Sequence, residues 1–289
     1  MARVDAHCHF WDLSRGDYGW LDASNSDLAP IVRDYCPGDL APLRNAANVE
    51  KVVVVQAAAT EAETDYLLEL ADRNDEIAGV VGWADFESDG VVQRLEKWTD
   101  NPKFKGVRPM LQDIENTDWL LENPKADIWP ELVRLGLRFD ALVQPRHLPV
   151  IYKFCKSNPD LALVIDHAAK PKSALEGNGD AFVFWSEHMT MLARDTNAHC
   201  KLSGLLSEME ASDLKEPRPI LQRYVDVLLE AFGPERLMWG SDWPVVTLAS
   251  SYQQWSLLAQ SLISEIDPGG RDKILGGTAS AFYGLGVAQ

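Results

Sequence analysis

The sequence predicts a (β/α)8 barrel formed as one domain over residues 1–289. Three observations carry that expectation. Eight short apolar runs recur along the chain, at residues 3–9, 51–57, 77–83, 104–110, 137–143, 161–167, 200–204 and 237–241. Helix-patterned segments lie between them, and strands alternating with helices imply βαβ units and a parallel sheet. The length also fits, since a closed barrel runs to about 250 residues as one unit. An open doubly wound sheet is the alternative architecture. It would carry a Gly-rich phosphate loop after its first strand, whereas here that strand ends in His7-Cys8-His9.

Each element has a local reason. Val52-Val53-Val54-Val55 and Leu161-Ala162-Leu163-Val164-Ile165 are almost unbroken apolar stretches, as strands buried on both faces should be. The spacing predicts a helix over residues 61–74, where Tyr66, Leu67, Leu70 and Ala71 share a face, and another over 91–99 through Val91, Leu95 and Trp98. Further helices are expected over 130–135, 149–157, 182–194, 217–232 and 252–263. Several open on Pro or an acidic residue, as helix N-termini prefer. Residues 273–285 read as a last helix docking on the barrel. Residues 12–36 form a longer irregular stretch holding Tyr18 and Trp20. It is either a lid over the barrel mouth or a surface loop with its own small apolar cluster.

Bulk properties narrow the partners. The formal charge is −17, which repels a phosphate backbone and disfavours nucleic acid. A small-molecule substrate is expected, neutral or cationic rather than anionic, although the acidity also serves solubility. Cys8, Cys36, Cys155 and Cys200 are widely spaced, so they form neither a zinc ribbon nor a disulfide framework and read as reduced thiols of a cytoplasmic protein. The N-terminus has no apolar targeting segment, and no uncharged run reaches the roughly 18 residues of a membrane span. The sequence carries no signal for the number of subunits.

The chemistry concentrates at strand ends. In Asp5-Ala6-His7-Cys8-His9, strand alternation puts His7 and His9 on one face, at the end of the strand where barrel enzymes act. Two neutral imidazoles side by side suit a divalent metal; two satisfied structural histidines are the plainer alternative. His167 ends the sixth run and Asp242 follows the eighth. In a closed barrel these ends meet at one mouth, and such convergence is hard to explain as packing, because unpaired polar groups cost several kcal/mol to bury. Asp242 ligates a metal, takes a proton from attacking water, or does both. His167 would polarise a carbonyl or orient that water. Arg108 ends the fourth run and would hold a carboxylate, a hydroxyl or a developing oxyanion, unless it pairs with an acidic neighbour. Gln56 and Lys170 are strand-end groups suited to hydroxyl contacts, and Trp83 and Trp243 serve either as apolar walls or as barrel core. Asp166 is expected to point away from the mouth, and Asp5 to lie one step deeper than His7. Both are expected to bond backbone or supporting groups rather than substrate. His147, His188 and His199 are read as bystanders.

The flanking text is more specific. Asp5-Ala6-His7-Cys8-His9-Phe10-Trp11, Asp166-His167-Ala168-Ala169-Lys170-Pro171, Lys201-Leu202-Ser203-Gly204 and Gly240-Ser241-Asp242-Trp243-Pro244 resemble the sugar-lactonase branch of the amidohydrolase superfamily. That branch includes L-fuconolactonase and L-rhamnonolactonase types, with 2-pyrone-4,6-dicarboxylate lactonase as a relative. The resemblance runs from Val4 to about Tyr283. It implies hydrolysis of a cyclic ester, with Asp242 as base and His7, His9, His167 and Arg108 binding metal or carbonyl. One divalent ion on His7, His9 and Asp242 is expected, zinc first among the candidates; metal-free hydrolysis is the alternative, as in the pyrone branch. Binuclear relatives carry a bridging lysine or glutamate at the end of strand four and a histidine on strand five. Here strand four ends in Arg108, Lys105 lies at its other end, and Phe139-Asp140-Ala141-Leu142-Val143 has no histidine, so two metals are not expected. A dianionic pyrone would want several arginines at the mouth, so a neutral aldonolactone (L-fucono-, L-galactono- or L-rhamnono-lactone) is the substrate expected. The alternatives are the pyrone, decarboxylation of an aromatic acid, and a barrel that binds a sugar acid without turning it over.

Overall fold

The computed structural model describes residues 2–125, 127–172 and 179–286. Eight parallel strands stand in sequence order: β1 (Val4–Cys8), β2 (Lys51–Val55), β3 (Ile77–Gly82), β4 (Phe104–Val107), β5 (Arg138–Ala141), β6 (Leu163–Ile165), β7 (His199–Leu202) and β8 (Leu237–Trp239). Seven of the predicted runs contain one of them, and the run 200–204 overlaps β7, which begins one residue earlier at His199. Helices α1 (Pro37–Ala46), α2 (Glu61–Arg73), α3 (Val91–Thr99), α4 (Trp119–Glu122), α5 (Ile128–Arg134), α6 (Leu148–Ser157), α7 (Gly179–Asp195), α8 (Pro217–Phe232) and α9 (Tyr252–Leu262) surround them. The chain then runs through α10 (Pro268–Asp272) and a π-turn at Lys273–Gly277 into α11 (Thr278–Tyr283).

Alternation along the strands makes two cores. Val4, Ala6, Val53, Val55, Val81, Val164 and Met238 fill the barrel interior, and Phe282, Tyr283 and Leu285 plug it from the N-terminal end. The opposite strand faces, with Val52, Val54, Phe139 and Ile165, pack beneath the helices against Trp98, Phe154, Trp185 and Trp255. The helix α3 shows the logic: Val91, Leu95 and Trp98 are its buried residues, one stripe at helical spacing. Three helices were not predicted, the short α4 and α10 and the longer α1. Helix α1 carries Gly38 and Pro42 within ten residues, both strong breakers in a sequence reading, yet Pro37 and an Asp39 side chain on the Cys36 N–H start it.

Between β8 and β1 a side chain seals the seam. Asp5 accepts from the N–H of Ser241 at 2.8 Å and from Tyr252 Oη at 3.1 Å. Further along, Asp242 N–H donates to the His7 carbonyl at 2.8 Å and His9 N–H to the Trp243 carbonyl at 2.7 Å. These bonds close the barrel where the regular ladder stops.

Residues 12–36 have their own aromatic cluster at the mouth. Trp11 packs against Tyr18, Trp20 and Tyr35. The segment is tied down: Trp20 Nε1 donates to the Ala57 carbonyl at 2.7 Å, and Thr60 Oγ1 to Asp17 at 2.8 Å. Beneath it Glu63 accepts from the N–H groups of Ala57 and Ala58. Burial pushes the Glu63 carboxyl up to about 7, with the two backbone donors pulling the other way. Because the folded group keeps its proton after the unfolded one has lost it, this residue costs stability as pH rises from about 4.5 to about 7. Chemical denaturation across that window should therefore show stability falling with pH in the parent relative to Glu63→Gln. Parallel curves would contradict the assignment.

Among the described residues no helix is long and apolar enough to cross a membrane.

Candidate active site

The site is built on strand ends at the C-terminal mouth. In β1 the pairing shifts between Asp5 and Cys8. Ala6 belongs to the interior core, and the irregularity lets His7 face inward as well. His9 follows, also inward. Its Nδ1 lies 2.8 Å from the Val55 carbonyl. A carbonyl only accepts, so Nδ1 carries a proton and Nε2 is directed inward. That Nε2 lies 3.2 Å from His7 Nε2 and 3.2 Å from Asp242 Oδ1. The same Asp242 oxygen is 3.8 Å from both His7 Nε2 and His167 Nε2. Four of the predicted residues thus meet at one point, all buried.

Left-handed backbone makes this possible. His167, Ala168, Ala169 and Lys170 have φ between 51° and 62°, and Asp242 has φ 58°. Such positions are strained for non-glycine residues and gather at functional sites. They also correct one expectation. Val164 faces the barrel interior, so alternation carries Asp166 inward, not away. His167, which alternation would send outward, is turned back by its positive φ. Its Nδ1 then meets Ser203 Oγ at 2.8 Å. The fit needs a glycine opposite: at Gly204 (φ +64°) a Cβ would lie 2.6 Å from His167 Nδ1. Gly204→Ala should displace the ring and cost about a hundredfold in kcat, as misplacements of about 1 Å do, with near-ultraviolet circular dichroism retained. Parental kcat would show that the ring position is unimportant.

Beneath the mouth lies a buried ionic layer that the sequence reading did not single out. Lys201, fully buried on β7, has its Nζ 2.6 Å from Asp140 Oδ2, 3.0 Å from Asp166 Oδ1 and 3.0 Å from His7 Nδ1. Tyr283 Oη donates to Asp140 at 2.8 Å. Arg108 reaches Asp166 at 3.4 Å and His7 Nε2 at 3.3 Å, and also donates to the Gln56 carbonyl. Arg108 therefore does pair with an acidic neighbour, yet it remains beside the imidazoles, and its Nε has no hydrogen-bond partner among the described residues. A lone lysine in the apolar run Cys200-Lys201-Leu202 was the available signal, since a buried charge demands a partner.

Charge states follow from this packing. Burial lowers His7 well below the ordinary imidazole range, with Lys201 adding to the effect. Burial brings His167 down to about 4, against the pull of Asp242. Burial alone would raise Asp242, but His167, His9 and His7 outweigh it and hold the carboxyl below its usual range. Burial would likewise raise Asp166, and Lys201 and His7 reverse it. At neutral pH His7 and His167 are thus neutral beside an ionised Asp242 carboxylate.

Among the described residues two groups of side chains could hold a metal ion, His7–His9–Asp242 and His7–Asp166–His167, with donor atoms within 4.8 Å of one another in each. The first fits better. Its His9 Nδ1 is engaged by the Val55 carbonyl, which turns Nε2 to the site, its carboxylate is held ionised, and two imidazoles with one carboxylate suit a zinc-like ion. In the second, Asp166 is already engaged by Lys201 and Arg108.

The remaining predicted residues are spread around this centre. Gln56 is buried and donates to the Arg108 carbonyl at 2.7 Å, so it supports the arginine. Trp83 is half-buried at the end of β3. Lys170 stands at the rim, 3.6 Å from Glu208. Trp243 is buried against Phe10 and Tyr35, at ring distances of 5.9 and 5.0 Å, which is the core-packing alternative rather than an exposed wall. Asp5 bonds the backbone of the β8–β1 seam, as expected of a supporting group.

A barrel with paired histidines at the end of β1, a histidine after β6 and an aspartate after β8 defines a hydrolase-type mouth. The chain belongs to the amidohydrolase family, whose model matches residues 4–285. It is similar to an L-fucono-1,5-lactonase of Burkholderia ambifaria, 40% identical over 97% of this chain and 95% of that protein. An L-fucono-1,5-lactonase of Burkholderia multivorans is 37% identical over 98% of this chain and 96% of that protein. Among solved structures, an amidohydrolase from Burkholderia multivorans with bound zinc matches with a TM-score of 0.89 at 36% identity, covering 99% of this chain and all of that one.

Proposed function

We propose that this amidohydrolase opens a neutral sugar lactone, of the L-fucono-, L-galactono- or L-rhamnono-lactone type, by attack of water on the ester carbonyl. The observation that carries the reading is the meeting of His7, His9, His167 and Asp242 within 3.2–3.8 Å beside Arg108. The two lactonase relatives support the substrate class, and so does the net charge of −17, which disfavours a dianionic pyrone.

Each residue has a role in this scheme. Asp242, ionised at neutral pH, takes a proton from the water as its oxygen bonds to the carbonyl carbon. Neutral His167, braced by Ser203, orients the water or the carbonyl. Arg108, held by Gln56 and Asp166, faces the oxyanion of the tetrahedral intermediate. As the ring C–O bond breaks, Asp242 returns the proton to the departing oxygen, leaving an open hydroxy acid. Lys170 contacts ring hydroxyls and Trp83 offers an apolar wall. His7, His9 and Asp242 would hold one divalent ion, zinc in this reading, which when bound supplies Lewis-acid charge beside the carbonyl. That contribution matters because a carboxylate held below its usual range is a weak base by itself.

The test is acid release followed with a pH indicator on a panel of L- and D-aldonolactones and 2-pyrone-4,6-dicarboxylate, with and without chelator. Carbon dioxide release from a dihydroxybenzoate is measured alongside. A neutral aldonolactone should be the fastest substrate and chelation should slow it. Faster turnover of the pyrone, or release of carbon dioxide, would replace this reading with one of its competitors.

A further inference from the structure

We propose that Glu208 and Lys170 form a hydroxyl-reading subsite beside the His–Asp centre, a donor and an acceptor set together to hold a neutral polyhydroxylated ring by adjacent hydroxyls. The proposal rests on the lactonase reading and names the substrate feature that this site selects.

Lys170 is the third residue beyond His167 and closes the left-handed turn that aims that histidine. The turn is fixed from behind, where Trp185 Nε1 donates to the Ala168 carbonyl at 2.7 Å. Glu208 comes from the segment after β7. The Lys170 ammonium and the Glu208 carboxylate are 3.6 Å apart, each 23% exposed. A closed charge-assisted bond is shorter, about 2.7–2.9 Å; at 3.6 Å a hydroxyl oxygen beside the pair lies within hydrogen-bond reach of both members.

Beside it lies a cavity of about 430 Å³, lined by both residues, by the cations Arg146 and Lys172, and by the accessible rings of Phe182 and Phe184. That volume falls within the roughly 300–1,000 Å³ of small-molecule sites, and aromatic rings give a ring-shaped substrate a face to pack on. The pair also borders the catalytic centre. Burial raises the Glu208 carboxyl, Lys170 opposes the rise, and the charge of Asp242 adds to it. Lys170 in turn acts on His167.

The chemistry of the pair selects the ligand. A hydroxyl both accepts from an ammonium and donates to a carboxylate, so neighbouring hydroxyls satisfy both members at once. A carboxylate substituent has no proton to give Glu208, so it leaves that member of the pair without a bond. An unsubstituted ring shields the pair from water and offers neither member a hydrogen bond, and sites built for hydroxyls reject such analogues strongly.

The test compares the parent with Glu208→Gln, Glu208→Asp and Lys170→Met on two substrates, L-fucono-1,5-lactone and the unsubstituted six-membered lactone tetrahydropyran-2-one. Binding of L-fucose, a pyranose without an ester, is measured by titration calorimetry in the same variants. Glu208→Gln and Lys170→Met should lose about 10- to 100-fold in kcat/KM on the hydroxylated lactone, the range for a lost hydrogen bond to a charged group. The loss should lie mainly in KM, with a much smaller loss on the plain lactone. L-fucose binding should weaken in parallel, and Glu208→Asp should recover part of it. Equal losses on both lactones, or none on the hydroxylated one, overturn the subsite. If the parent opens no lactone yet binds L-fucose in a Glu208-dependent way, the lactonase reading falls and the subsite stands. If the parent neither opens the lactone nor binds L-fucose, both fall.

Discussion

Replacing Asp242 with Asn slows lactone hydrolysis by at least about a hundredfold, the lower end of what a general base contributes. The substitution isolates chemistry from folding unusually well. Asp242 sits at φ 58°, a region that Asn tolerates about as well as Asp. Its backbone N–H, which donates to the His7 carbonyl, is untouched. What changes is the oxygen that faces three imidazoles: an amide neither accepts a full proton nor carries the charge that they stabilise. Steady-state kinetics with metal content measured in parallel check this. A folded, metal-replete variant at the parental rate would remove Asp242 from the mechanism.

The largest effect on stability is expected at Lys201. Its ammonium is the shared partner of two fully buried carboxylates, Asp140 and Asp166. Lys201→Met keeps the length and the apolar stem but leaves both carboxylates without it. Removing one member of a buried ion pair costs about 3–5 kcal/mol, a large fraction of the roughly 5–15 kcal/mol that holds a domain together. The remaining contacts differ between the two acids. Asp140 keeps Tyr283, and Asp166 keeps Arg108. Burial already holds the Asp140 carboxyl up at about 6 even with Lys201 opposing, so Asp140 is the more readily neutralised partner. Asp140→Asn combined with Lys201→Met should therefore recover part of the loss in urea denaturation. A single variant within about 0.5 kcal/mol of the parent, the scatter of ordinary surface changes, would show that the layer is not stabilised by this pairing.

Much of the fold could be read from the chain because strand patterning is local. Val52–Val55 announces a doubly buried strand whatever its neighbours are, and the same holds for the run ending at Ile165. The catalytic candidates were legible for a related reason: in a barrel every strand C-terminus reaches the same mouth, so His7, His9, His167, Asp242 and Arg108 converge once the topology is accepted. What escaped depended on three-dimensional closure. Lys201, Asp140 and Tyr283 come from β7, β5 and the C-terminal helix, and nothing in their separate sequence contexts says that they meet. The inward aim of Asp166 was missed because alternation was extended through His167, where the left-handed backbone breaks it. Helix α1 was missed because Gly38 and Pro42 argue locally against it, and packing overrides them. Trp243 lies next to Asp242 in sequence but is buried with Phe10 and Tyr35, so adjacency to a site residue was a poor guide to exposure.

The central claim, a neutral sugar lactone opened at the His7–His9–Asp242 mouth, is tested most directly by kcat/KM on L-fucono-1,5-lactone with folded, zinc-supplied protein, corrected for spontaneous hydrolysis. The account predicts a value of about 10⁴ M⁻¹s⁻¹ or more, the ordinary range for an enzyme on its own substrate class. Turnover indistinguishable from the spontaneous rate for this lactone and its galactono- and rhamnono- counterparts would contradict it.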